Sequence, residues 1–556
     1  MPGEFRAELE AVASDRADQP AFTFLDAEGM ARTYTYGELF ARAQDIARTI
    51  ERQGLVNPNA PLGILLRSQE DQTVHYLGAL CAGAIPAILT PPNRKLNPEY
   101  YARTMAVVLR RSSFHAIVSD LDGIDFPVPV SKPHGLAPAQ HTRQTGGHVE
   151  TGQPLDASFL QFSSGTTGIK RGVLVRDEAV LAQLHAYAQA LDLSEADRIV
   201  SWLPLYHDMG FIACLNMPLL FGVHTIVLDP IDWVSRPASL LQAVTRFEAT
   251  LSWNPNFAYA FMAQRVRDSA LEGVDLSSLR GLVNCSEPVT YASQQRFLDR
   301  FGPFGIRDDV FLGCYAMAET TFALTHGPGS DPRSLDEAGP VSGARSDSAD
   351  PYVSVGRPLA GVELEVMDED GTPLKEREIG ELWVRSSFNF TGYHGDSDAT
   401  RAAFADDWYR TGDLGYRVGD HFFVTGRRKD VLIVGGVNVF PTDLEEVVSQ
   451  VDGVLAGRTV AFARFDPRIQ TERVTILAES DHLGEEAREV TLEVRQRIQA
   501  SFELAAFEVH LVPSGWLIKS TSGKIARSAN RDKWEQHRDG LAAVGQPVSA
   551  TDRAAR

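Results

Sequence analysis

Cysteine is scarce in this chain: Cys81, Cys214, Cys285 and Cys314 are the four in 556 residues. They are widely separated, form no C-x-x-C pair and lie in apolar contexts. That excludes a disulfide framework and a cysteine-built zinc site, and leaves buried free thiols. Apolar runs long enough to span a bilayer are also missing, so no stable membrane insertion is expected. The opening residues Met1-Pro2-Gly3-Glu4-Phe5-Arg6 lack the apolar core of a secretion signal, and a cytoplasmic location is the expectation. Net positive charge is absent too: 53 Lys+Arg against 73 Asp+Glu give −20. This excludes a general nucleic-acid binder. It does not exclude a small anionic ligand held by a locally positive loop.

What is present is an ordinary globular share of apolar residues, 44 %, in a chain too long for one core. Tyr36 to Arg52 has helical spacing, and Pro61 to Leu66 reads as a buried strand. His75 to Ala84 reads as a helix leading to a strand through Leu89, and Ala116-Ile117-Val118 continues the alternation into residues 220 to 320. That rhythm predicts an α/β fold with mostly parallel sheets. A polar, turn-rich stretch at 326–354 reads as an inserted loop. Gly361 to Arg385 reads as strands around the turn Asp370-Gly371, and Gly419-Asp420 turns between two more. The charged tract Gly426 to Asp430 is the expected boundary. Residues 1–425 then form a large N-terminal domain of mixed sheets flanked by helices. Residues 426–430 are a hinge, 431–540 a small mobile α/β domain, and 541–556 a flexible tail. Within the small domain, Asp443 to Val451 and Glu485 to Phe502 read as helices and Val474 to Leu477 as a strand.

The strongest chemical signal is Ser163-Ser164-Gly165-Thr166-Thr167-Gly168-Ile169-Lys170, between the strand-like Phe159 to Phe162 and Val173-Leu174-Val175. Glycines let backbone N–H groups converge, and hydroxyls and a lysine add donors, which suits a polyphosphate. The spacing is not that of the G-x-x-x-x-G-K-[ST] loop. Four further clusters follow. His207 sits in Leu203 to Gly210, where Pro, Asp and Gly suggest a loop facing a ligand, against the ordinary reading of a structural histidine. Tyr315 and Glu319 lie in Gly313 to Thr321: an aromatic ring suits a nucleobase and a carboxylate suits a phosphate-bridging metal. Asp413 stands in a Gly-flanked turn, able to accept from both ribose hydroxyls or simply to form an Asx turn. Lys524 lies on the Ser/Thr/Gly turn Ile518 to Arg527.

Together, and in this order from about Tyr36 to Lys533, these motifs resemble the adenylate-forming superfamily: acyl-CoA synthetases, fatty acyl-AMP ligases and adenylation domains. The resemblance implies an ATP- and magnesium-dependent ligase that activates a carboxylic acid as acyl-AMP. It implies that Ser163, Ser164, Gly165, Thr166, Thr167, Gly168 and Lys170 close over the phosphates. Ser286, Glu287 and Pro288 would line the nucleotide and acyl pockets, with Ala316 and Thr320 beside the adenine-stacking Tyr315. Glu319 would hold magnesium, Asp413 the ribose with Arg427 nearby, and Lys429 the hinge. Lys524 would be the catalytic lysine and His207 would stand at the mouth of the acyl site. The acceptor would be a phosphopantetheinyl acyl carrier protein or CoA. His207's motif, the Tyr315 motif and the insertion 326–354 resemble fatty acyl-AMP ligases. Lys170 and the loop Ile433 to Asn438 look more like CoA ligases. A non-catalytic nucleotide-binding homologue, and an adenylating enzyme with an unusual nucleophile and no thiol acceptor, are the remaining alternatives. Trp253, Phe257, Tyr259 and Phe261 are candidates for an apolar acyl pocket or for core.

Overall fold

The computed structural model describes residues 3–92, 98–133, 154–163, 171–328, 334–341, 350–434, 437–466, 471–482, 485–502, 507–519 and 524–541. Local sequence dictates many elements directly. Thr35 caps the helix Tyr36–Arg52 in a reciprocal capping box with Glu38. Tyr36, Leu39, Phe40, Ala43, Ala47 and Ile50 bury one face of it at helical spacing. The face lies against the helix Gln69–Cys81. A Cβ on Gly78 there would stand 2.6 Å from Ile46 Cγ2, so the close approach needs glycine.

A nine-stranded sheet forms the centre. Its inner strands Phe311–Gly313, Gly281–Cys285, Leu251–Pro255, Arg198–Ser201, His224–Leu228 and Pro20–Leu25 are neighbours in that order and parallel. A parallel four-stranded sheet, with Leu62–Leu65 and Ala116–Ser119 inside it, lies alongside. Both parallel sheets bear out the α/β fold expected from the alternation. An antiparallel sheet follows, built on Val362–Met367, Gly380–Ser386, Trp408–Val418 and His421–Arg427. Beyond it the strands Thr459–Asp466, Thr471–Ser480 and Phe507–Pro513 form a three-stranded sheet. Val474 and Ile476 of this sheet pack with Leu444, Val448, Val494 and Ile498 in a hydrophobic cluster separate from the main one.

Some boundaries shift from those expected. The helix Gln69–Cys81 starts six residues before His75, because Ser68 supplies its cap to Asp71 N–H. The inserted stretch is not all loop: Leu335–Asp336 pairs with Tyr352–Val353. Asp413 is not in a free turn but in the long strand Trp408–Val418, paired with Arg427. Gly412, at φ 72°, and a register shift after Leu414 give the local kink that suggested a turn. Among the described residues, no helix is long and apolar enough to cross a membrane.

Candidate active site

Neighbouring parallel strands deliver successive site residues at their C-terminal ends, where open α/β sheets bind ligands. Phe311–Gly313 leads to Tyr315, Gly281–Cys285 to Ser286-Glu287-Pro288, Leu251–Pro255 to Asn256 and Phe257, and Arg198–Ser201 to Trp202 and His207. All of these residues line one cavity of about 1570 Å³. Backbone strain marks the same edge. Ser286 has φ 69°, and Thr321, a β-branched residue, has φ 63°. Each costs about 1–3 kcal/mol and persists where the surroundings fix it. Thr321 Oγ1 donates to Phe388 O at 2.9 Å, and Gln161 Nε2 donates to Ala318 O and Thr321 O, both at 2.9 Å. These bonds clamp the turn that carries Glu319. After His207 the chain enters a π-helical segment, Met209–Asn216, a geometry frequent at functional sites.

The antiparallel sheet supplies the opposite side. Asp413 Oδ2 accepts from the Tyr315 hydroxyl at 2.7 Å, and Arg427 Nε lies 2.9 Å from Asp413 Oδ1. Glu381 Oε1 accepts from Gly412 N–H at 3.1 Å and so holds the kink beside Asp413. Each carboxylate oxygen of Asp413 has capacity for a second donor, so ribose hydroxyls fit the same group. The Arg427 guanidinium is stabilised in its charged form, first by Asp413.

Glu319 is half-buried beside these groups, and desolvation pushes its carboxyl pKa up; the Tyr393 hydrogen bond and Arg427 oppose that shift. Tyr393 donates to Glu319 Oε1 at 2.9 Å. A partly desolvated carboxylate on the wall of this cavity fits a hard cation that takes its remaining ligands from phosphate and water. Among the described residues no cluster of three or more His, Cys, Asp or Glu is placed to hold a metal by itself.

Lys524, Lys429 and Lys519 line the same cavity, and Arg428 with them. Lys429 lies in the short helical turn Arg428–Asp430, where burial lowers its pKa. Arg527 ties the following helix down, with contacts to Asp430 at 3.0 Å and Glu445 at 2.8 Å.

The structure thus brings together His207, Ser286, Glu287, Pro288, Tyr315, Ala316, Glu319, Asp413, Arg427, Lys429 and Lys524, and Ser163 joins them at the cavity rim. Ser164, Gly165, Thr166, Thr167, Gly168 and Lys170 lie outside the described residues. Thr320 is turned away: its hydroxyl is fully buried against Met317 O and Phe322 O, because the tight turn consumes it. Of the four aromatic candidates only Phe257 lines the cavity. Trp253 donates to the Tyr187 hydroxyl at 2.8 Å, Tyr259 to Val283 O at 3.0 Å, and Phe261 packs on Trp233. Strand alternation and the helix face put those three in the core. Tyr393 and Gln161 carried no motif, and Lys519 lay within the Ile518 to Arg527 motif with no role assigned to it. Arg171, whose guanidinium lies 4.9 Å from the Tyr393 ring centroid, was marked only by following the Ser/Thr/Gly loop.

Residues 9–394 match the family model described as AMP-binding enzyme. The long-chain-fatty-acid–AMP ligase FadD26 of Mycobacterium marinum is 30 % identical, over 94 % of this chain and 95 % of that one. The putative fatty-acid–CoA ligase fadD21 of Mycobacterium leprae is also 30 % identical, over 92 % and 94 %. Among solved structures, the fatty acyl-adenylate ligase of Legionella pneumophila in complex with acyl adenylate and pyrophosphate superposes with a TM-score of 0.69. It is 27 % identical, with 97 % of this chain and 96 % of that one covered. A cavity walled by Tyr315, Asp413, Glu319 and Lys524, on a fold shared from end to end with such ligases, places the chain in the AMP-binding enzyme family, as an adenylate-forming ligase.

Proposed function

We propose that the chain joins an apolar carboxylic acid to AMP and then transfers the acyl group to the phosphopantetheine thiol of an acyl carrier protein. The observation that carries the first step is the convergence of Tyr315, Glu319, Asp413, Arg427 and Lys524 on one cavity. A carboxylic acid of pKa about 4–5 is already ionised at pH 7, so its attack on the α-phosphate of ATP needs no general base. The barrier is like-charge repulsion and the charge that builds on the phosphoryl oxygens. Positioning and electrostatic stabilisation therefore supply most of the rate. In this reading Tyr315 stacks on the adenine and Asp413, steadied by Arg427, holds the ribose. Lys524 stabilises the α-phosphate as the new C(O)–O–P bond forms and pyrophosphate leaves. Glu319 holds magnesium, which would neutralise phosphate charge when bound.

The acid side of the cavity is apolar, with Trp202, Met209, Pro255, Phe257 and Ala260 along it, which favours a medium or long acyl chain. A carrier-bound thiol as acceptor is supported by the inserted stretch. Gln450 Nε2, beyond the proposed hinge, donates to Asp350 Oδ2 of that stretch at 2.9 Å. Such a tie restrains rotation of the small domain, which disfavours CoA in the fatty acyl-AMP ligases that the sequence resembles. The FadD26 relative is named as an AMP ligase, in keeping with this reading. The test is acid-dependent AMP release with a panel of fatty acids, run with CoA, with a phosphopantetheinylated carrier and with neither. Stimulation by the carrier is expected. Stimulation by CoA alone overturns the carrier as acceptor, and absence of release with every acid overturns the ligase reading.

A further inference from the structure

Lys524 lies on the second of two paired legs, residues 518–519 and 524–526, directly beside the pair that closes this hairpin. Lys519 and Ile525 pair as an antiparallel bridge. Ala526 N–H donates to Ile518 O at 3.0 Å, and Asn530 bonds both the N–H and the carbonyl of Ile518, each at 2.8 Å. The position of Lys524 therefore follows from how the two legs of this hairpin are held. The leg after Lys524 is fixed through Arg527, to Asp430, Glu445 and Ala461 O. None of those partners belongs to the strand ends that form the acid side.

The leg before Lys524 is held differently. Lys519 crosses to the acid side, and its Nζ stands 4.8 Å from the ring centroid of Phe257. Phe257 is the second residue of the helix Asn256–Arg265 and comes directly off the strand Leu251–Pro255. Its N–H donates to Glu287 Oε2 at 3.0 Å, so Glu287 fixes the ring's backbone and adds negative charge near the ammonium. The same residue meets the small sheet at a second point: a Cβ on Gly457 would stand 2.9 Å from Phe257 Cβ. Phe257 is thus a landing point, read straight off the central sheet, for two segments beyond the proposed hinge.

We propose that Lys519 is a positioning residue for adenylate formation: seated on Phe257 beside Glu287, it sets the Lys524 hairpin in register with the acid-binding wall. This rests on the ligase function proposed above. Lys519 itself need not touch the reacting atoms, since Lys524 does so. Burial lowers the Lys519 amine to about 8, with Arg458 adding to the shift and Glu287 and Glu479 opposing it. A lysine idle on the surface would not bear that desolvation. A cation on an aromatic face supplies direction as well as attraction, and small misplacements of a catalytic group carry large rate penalties.

The experiment compares wild type, Lys519→Met, Lys519→Arg and Phe257→Leu in the full chain, each with and without Lys524→Ala. The first readout is ATP–pyrophosphate exchange with a fatty acid that supports it. The second is thiol transfer from chemically supplied acyl-adenylate, and the third is the unfolding midpoint. Lys519→Met is expected to cut the maximal exchange rate by about tenfold to 10²-fold, with the KM for ATP little changed. Phe257→Leu is expected to fall in the same direction and Lys519→Arg to restore most of the loss. In Lys519→Met, transfer and unfolding stay at wild-type values, and the substitution adds nothing once Lys524 is alanine. Wild-type exchange in Lys519→Met, or an equal further loss on the Lys524→Ala background, overturns the proposal alone. A wild type silent with every acid overturns the ligase reading and this inference with it.

Discussion

Tyr315, Ser286, Phe257 and His207 reach the cavity from the ends of parallel strands, whereas Lys524 reaches it from a hairpin outside that sheet. The strand-end residues are backed by the main hydrophobic core, and their backbone is held even in strained conformations such as Ser286 and Thr321. The hairpin is held by a few polar and cation–ring contacts: Arg527 with Asp430 and Glu445, and Lys519 with Phe257. Core packing is bistable only at high cost, while a handful of exposed or half-buried contacts can be exchanged for others. The difference teaches that one side of the site is fixed by core packing, and that the other can be rearranged at small cost, as the proposed role of Lys524 in adenylate formation alone would require.

The largest expected effect probes the rigid side. Trp253→Ala should destabilise the chain by about 3–5 kcal/mol, since it empties a fully buried position on a central strand. Chemical unfolding checks this; a change in acid preference without loss of stability would return Trp253 to the pocket. On the hairpin side, Lys524→Ala should lower pyrophosphate exchange by about 10²–10³ and leave the unfolding midpoint unchanged. Exchange near the wild-type rate would break the contrast between the two walls. Lys429→Pro should spare exchange and slow thiol transfer, by stiffening the turn Arg428–Asp430. Equal loss in both half-reactions would mean that this turn is no hinge.

The smallest effect is a slope. The Glu319 carboxyl is raised by burial, so between its ordinary and its raised pKa the folded chain binds more protons than the unfolded one. Its contribution therefore makes stability fall as pH rises through that window. Glu319→Gln should remove that part of the slope while also weakening exchange. Unfolding midpoints measured across mildly acidic pH in the absence of magnesium decide it, and an unchanged slope would show that Glu319 is already ionised in the folded chain.

The linear chain carried much of this. Alternating apolar segments foretold the α/β fold, and the helix Tyr36–Arg52 could be bounded to the residue because its cap and its apolar spacing are both local. The motifs around Tyr315, Glu319, Asp413 and Lys524 were legible because nucleotide chemistry demands particular residue types near glycines. Thr320 misled for the opposite reason: it belongs to a motif, yet its hydroxyl serves the turn. Tyr393 was silent, and Lys519 had no role inside its motif, because a tyrosine or a lysine acquires meaning only from what it meets, and each meets a partner far away in sequence.

By itself the sequence determined the order of elements and the chemical inventory of the candidate site, since these depend on neighbours along the chain. The tertiary structure alone decided which aromatics are wall and which are core, which carboxylate is partly desolvated, and which strand ends meet. It also decided that Lys519 reaches Phe257 across 262 positions of sequence, from the numbering of the two residues. Those outcomes depend on the packing of segments that no local pattern relates, because burial and desolvation are properties of the assembled surface rather than of any stretch of chain.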